Sequence, residues 1–170
     1  MNPTNQDAMS RILKSLSKYS AERRRFLKAI GWADSNRDPF SVVSESITIC
    51  ALGGRLAGNQ VQARWDLIDA EGHQVQVKYL ANSGDRWKNE HHVKFPVGVE
   101  RYALVVFEQH LPRTLLIFRR DRLADLCRYL GKRHGNQHNE VQFTQHNYES
   151  VLASAYQLEK TGVLKILSLA

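Results

Sequence analysis

Three residues stand at a spacing that could do chemistry on a phosphate. Asp66 is followed after nine residues by Gln76-Val77-Lys78. A carboxylate and an amide oxygen are donors that a hard divalent cation accepts. An amine beside them could hold a phosphate or activate a water. Such a set works only if the groups meet on one side of one element pair, so the flanking pattern must be read first.

The flanks alternate. In Val61–Asp69, Ala63, Trp65 and Leu67 fall on one face, with Arg64, Asp66 and Ile68 on the other. In His73–Leu80, Val75, Val77 and Tyr79 share a face, and Gln74, Gln76 and Lys78 share the opposite one. Pairing the two apolar faces requires a loop with an odd number of residues, since a slip by one would turn a whole face over. Ala70-Glu71-Gly72 satisfies this, with Gly72 in the left-handed position that such loops end on. The register then sets Asp66 opposite Gln76, and Arg64 opposite Lys78. Two facing cations repel unless an acid or an anion lies between them. The alternative is an ordinary cross-strand ion cluster of Asp66, Lys78 and Arg64 on a solvated face.

Other elements can be placed around this hairpin. Met9, Ile12, Leu13 and Leu16 recur at helical spacing and Phe26, Leu27 and Ile30 follow, which predicts two helices ending at Gly31. Gly31–Arg37 reads as a polar linker. Asp38-Pro39 opens a further helix, largely buried through Val42, Val43, Ile47, Ile49, Cys50 and Leu52, that carries Glu45 and stops near Gly53-Gly54 or at Gly58. Strands are expected at Arg101–Phe107 and Thr114–Phe118, turned by Leu111-Pro112-Arg113, then a helix at Asp121–Tyr129 stopped by Gly131. A short strand at Val141–Thr144, a helix at Tyr148–Leu158 and an apolar run at Val163–Leu169 complete the chain. The expected fold is α/β, a mixed β-sheet flanked by helices, with residues 1–37 as a basic helical arm and linker and 38–170 as the main domain.

Composition narrows the function classes. The chain has 170 residues, 42% hydrophobic and 24% charged, which supports a real core and excludes a wholly disordered chain. No stretch nears the run of ~20 apolar residues a membrane span needs. Cys50 and Cys127 are isolated, so neither a disulfide framework nor a metal knuckle can be built, and a reduced, cytoplasmic setting is expected. Lys and Arg number 24 against 17 Asp and Glu, a net charge of +7 that suggests a polyanionic partner. Much of the excess lies in the arm, as Arg11, Lys14, Lys18, Arg23, Arg24, Arg25, Lys28 and Arg37. That arm suits either a solvated helix pair or a clamp on the DNA backbone or a second copy.

The Asp66…Gln76-Val77-Lys78 pattern, with the helix before it, resembles the D…(E/Q)xK core of the PD-(D/E)xK nuclease superfamily, which includes the type II restriction endonucleases. The similarity runs from about Pro39 to Arg120. Trp65 replaces the family's Pro, and Gln76 its second acid. The resemblance implies a restriction-endonuclease-like fold and a Mg²⁺-dependent endodeoxyribonuclease, with Mn²⁺ as substitute ion, restriction- or homing-endonuclease-like in role. It implies Asp66, Gln76 and the Val77 carbonyl as metal ligands, Lys78 as the group that orients or deprotonates the attacking water, and Glu45 as an auxiliary acid. Arg64, Arg86, Lys88, His91, His92 and Lys94 are then DNA-binding candidates, as are Lys132, Arg133 and His134; Trp87 could stack or wedge, and Tyr102 reads as core. The expected partners are double-stranded DNA and a second copy of the chain, since cutting both strands needs two sites. A DNA-binding protein with a weak metal site and an RNA-cleaving toxin are the alternatives.

Overall fold

The computed structural model describes residues 3–33, 35–58, 64–131 and 140–169. The chain divides into two compact units, Met1–Pro39 and Phe40–Ala170.

The first unit is one helix, α1 (Pro3–Ala29), where the apolar spacing predicts two. The segment between the two apolar groups, SKYSAERRR, contains no glycine or proline, so nothing stops propagation. Gly31 does stop it, at φ +82°. The expected linker is folded: a guanidinium nitrogen of Arg23 donates to the carbonyls of Ser35 and Arg37, and the Arg37 guanidinium lies 5.9 Å from the Trp32 ring centroid.

The second unit opens with α2 (Pro39–Leu52), which turns Val42, Ser44, Glu45 and Thr48 inward. Cys50, expected among the buried residues, is exposed instead. Eight strands follow among the described residues. β1 (Arg55–Leu56), β2 (Leu67–Ile68), β3 (Gln74–Asn82), β5 (Arg101–Glu108), β6 (Leu111–Arg119) and β8 (Leu164–Ser168) form one sheet in that spatial order. All neighbours are antiparallel except β3 and β5, which run parallel. The crossover joining those two carries β4 (His91–Lys94), which pairs with β7 (Glu140–Phe143) as a separate two-stranded sheet. The architecture is mixed α/β, a mostly antiparallel sheet flanked by helices.

Alternation along β3 and β5 divides the core. Leu67, Val75, Val77, Ala103, Val105 and Phe107 face α2, with Phe40, Val43 and Ile47 packed on them. Leu80, Tyr102, Leu104 and Val106 face the other way, against the two-stranded sheet and the helices α3 (Leu123–Tyr129), α4 (Gln145–Ala153) and α5 (Ala155–Lys160). The sequence pattern predicts a single helix for the last two; the chain breaks at Ser154, φ −120°, ψ 22°.

The hairpin keeps the expected register. Leu67 pairs with Val75 and Ile68 with Gln74, and Gly72 takes φ +89° in the loop. Asp69, buried there, does more than the pattern foretold. Its Oδ1 accepts from the backbone N–H of Glu71 and His73 at 3.0 and 2.9 Å, and its Oδ2 takes Arg101 at 2.7 Å. The β5–β6 turn is at Gln109-His110, not at Leu111-Pro112-Arg113. Pro112 sits in β6 opposite Phe107, where a bulge tolerates the missing N–H.

One backbone approach fixes where β2 lies. Gly54, at φ +95°, passes so close to the hairpin that a Cβ would meet Ile68 O at 2.0 Å and Asp69 Cα at 2.7 Å. Gly54→Ala is therefore expected to lose at least ~2 kcal/mol of unfolding free energy, from positive φ and a clash with backbone that cannot step aside. Urea titration checks this; an unchanged midpoint would mean that β1 and β2 are not packed as described.

Candidate active site

The candidate groups sit where β2 leaves the sheet. Its last paired residue is Leu67, and residues 64–66 bend away. Asp66 is pinned at the departure point: its N–H donates to Val75 O at 3.0 Å, and its carbonyl accepts from Ala57 N–H at 2.9 Å. Beyond it, the β3 edge has no further strand partner among the described residues. The Asp66 carboxylate fills that place, with Oδ2 accepting from the Val77 N–H at 2.7 Å and from the Gln76 side-chain amide. Val75 turns its carbonyl to β2 and Gln74 turns its own toward the β5 side. By the same alternation the Val77 carbonyl faces the gap that β2 has left.

Asp66, Gln76 and Val77 thus converge as the register requires. Lys78 follows on the Gln76 face and is exposed. Among the described residues it has no ion-pair partner. Arg64 is exposed in the bend and is not a strand partner of Lys78, which corrects the facing pair expected from continuous strands. The ion-cluster alternative also fails as drawn: Asp66 is held by two amide donors rather than by Lys78 or Arg64.

Glu45 is buried, 1% exposed. It belongs to the helix over the Val75–Val77 face, whereas Gln76 and Lys78 point to the opposite face.

The crossover places other candidates. His91 stands beside the site: its Nε2 lies 2.6 Å from the Tyr102 hydroxyl, and Tyr102 is the β5 neighbour of Gln76. Burial, then the Asp66 carboxylate, push the Tyr102 hydroxyl up, so it stays protonated. Burial, the Lys78 charge and His92 hold His91 down to about 4. The ring is therefore neutral, and its Nε2 shares one hydrogen bond with the Tyr102 hydroxyl. His92 and Lys94 instead share Glu140 of β7, at 3.1 and 3.5 Å. Arg86 and Lys88 are exposed on the loop after β3. Trp87 anchors that loop rather than reaching outward: its backbone N–H donates to Gln145 Oε1 at 3.0 Å and its ring centroid lies 5.0 Å from that of Tyr148. Lys132, Arg133 and His134 lie outside the described residues.

Tyr102 was legible only as core, because its place beside Gln76 needs the parallel pairing of β3 and β5. That pairing spans a crossover whose partners no local pattern names. The usable signal was alternation in RYALVVF, which puts Tyr102, Leu104 and Val106 on one face.

His91 makes folding acid-sensitive. Its pKa drops from an ordinary 6.5 to about 4. In that window the unfolded chain binds a proton that the folded chain refuses, so stability falls as pH falls through it. The urea midpoint is expected to drop more between pH 7 and 5 for the parent than for His91→Gln. Equal drops would place the imidazole in water.

Among the described residues, no three His, Cys, Asp or Glu side chains form a metal cluster. The donor set is instead one carboxylate, one side-chain amide and one backbone carbonyl. All can offer oxygen once the Gln76 amide turns over, which fits a hard ion that keeps several waters. No protein-family model matches the chain, and no curated protein matches it.

Proposed function

We propose that this protein is a Mg²⁺-dependent nuclease of restriction-endonuclease-like fold, hydrolysing phosphodiester bonds in DNA and acting as a homodimer. One observation carries the reading: at the fork where β2 leaves β3, Asp66 is held by the Val77 N–H and Gln76, and Lys78, exposed and without an ion-pair partner among the described residues, stands on the same face. The succession of helix, hairpin, strand and strand from Pro39 to Arg119 agrees with the resembled family.

Asp66, Gln76 and the Val77 carbonyl would hold the ion, which when bound neutralises phosphate charge and lowers the pKa of a water. The Val77 N–H fixes the carboxylate, so its orientation need not be found during reaction. Lys78, with no acid paired to it among the described residues, orients the attacking water and offsets charge gathering on the phosphate. The Tyr102–His91 pair closes the flank with a neutral, hydrogen-bonded wall, adding no positive charge that would compete with the ion. Arg86 and Lys88 hold the flanking backbone.

Gln76 favours one second reading. An amide brings a dipole where an acid would bring a charge, so a DNA-binding protein that does not cut is the rival. Incubation of the purified chain with supercoiled plasmid, or with total tRNA, in Mg²⁺ and in EDTA separates the possibilities. Nicked or linear plasmid in Mg²⁺ alone is expected. Retarded but uncut plasmid would favour the binding protein, and cut tRNA with intact plasmid would move the substrate to RNA.

A further inference from the structure

Beside the candidate site, at the carboxyl ends of the parallel strands β3 and β5, a groove of 720 Å³ opens. That volume lies within the range of small-molecule and nucleotide sites, and ligands of α/β sheets gather at this end of parallel strands. Its walls combine two chemistries. Phe40, Tyr79 and His110 supply rings; Arg86 and Lys88 supply cations. Among the described residues the one acid of the lining, Glu90, is tied to the Gln142 amide at 2.7 Å, and neither Arg86 nor Lys88 has an ion-pair partner.

The walls are built rather than loose. Asn82, 4% exposed, ends β3, and its Oδ1 accepts from the N–H groups of Lys88 and Asn89, both at 2.9 Å. The Trp87 anchor fixes the same loop from its other side. On the opposite wall, His110 pays a conformational cost for its place: Gln109 and His110 take φ +50° and +66° in a two-residue hairpin turn that favours Asn-Gly. The exposed His110 ring lies 5.9 Å from Phe40 at an interplanar angle of 22°, a stack with an open end.

We propose that this groove holds one unpaired nucleotide, its base extending the Phe40–His110 stack and its phosphates on Arg86 and Lys88. The substrate strand is then single or locally unpaired where it passes the Asp66–Lys78 site. Rings joined to cations are the means by which proteins hold unstacked bases, and stacking tolerates any sequence. Tyr79 and Leu80, which follow Lys78 in β3, line the groove together with His91, so a strand crossing Lys78 continues into it. The choice of substrate rests on the nuclease reading; the nucleotide pocket does not.

The test is fluorescence anisotropy of the full chain in EDTA, where nothing is cut. The probes are a single-stranded oligodeoxynucleotide, the blunt duplex of the same sequence, and that duplex with one bulged nucleotide. The single strand and the bulge are expected to bind roughly tenfold more tightly than the blunt duplex. His110→Gly, which glycine's freedom at positive φ lets fold, should remove that preference and leave blunt-duplex binding unchanged. Arg86→Ala, at an exposed position, should weaken single-strand binding and make its salt dependence shallower by about one ion. Equal affinity for all three probes, or a preference that survives His110→Gly, overturns the pocket. Preference with no cutting in Mg²⁺ removes the nuclease and leaves the pocket standing; cutting without preference does the reverse.

Discussion

Asp66→Asn is expected to lower Mg²⁺-dependent plasmid cutting by roughly a thousandfold while DNA retention in a gel shift persists. The size follows from the several kcal/mol that a bound ion contributes to a charged transition state, at about tenfold per 1.4 kcal/mol. Asparagine is the informative replacement. The carboxylate now accepts from the Val77 N–H at 2.7 Å, and alanine would leave that edge donor unmatched at a cost of ~1–3 kcal/mol. The asparagine carbonyl can still accept the bond, so the variant loses charge and keeps the fork. A thermal midpoint near the parent's, together with lost cutting, would assign the effect to chemistry. Undiminished cutting by Asp66→Asn would remove the proposed site.

Lys78→Ala is expected to lower cutting by between a hundredfold and ten-thousandfold, the range for a positioned group that handles a proton or orients the nucleophile. Stability should change little, because the side chain is exposed and holds no ion pair among the described residues. DNA retention should weaken only slightly, as for the loss of one backbone cation. Lys78→Arg separates two roles. Arginine keeps the charge but cannot give up its proton, so partial rescue points to charge and orientation, and no rescue points to proton transfer. Cutting by Lys78→Ala at the parent's rate would mean that the amine stands outside the reaction.

What could be read without coordinates was what alternation and turn chemistry control. The hairpin register follows from matching Leu67 to Val75 across a three-residue loop ended by Gly72, and it brings Asp66 to Gln76. Proline and glycine marked both ends of α2. Other features depend on partners distant in sequence. Arg64 was placed opposite Lys78 by extending β2 backward, but the strand ends at Leu67, and only a bend there exposes the Val77 edge to Asp66. His91–Lys94 is too short and polar to announce a strand; its pairing with Glu140–Phe143 makes it one. Tyr102 becomes part of the site's wall only through the parallel neighbour Gln76. Pro112 misled because a proline beside a turn reads as the turn, whereas the bulge opposite Phe107 leaves it room inside β6.

The most direct measurement is a crystal of the full chain soaked in Mn²⁺ and recorded for anomalous scattering. The account predicts a single strong peak within coordination distance of the Asp66 carboxylate and the Val77 carbonyl, with the Gln76 amide turned to present oxygen. A Gln76 amide still donating to Asp66, with no peak at the fork at millimolar Mn²⁺, would contradict it.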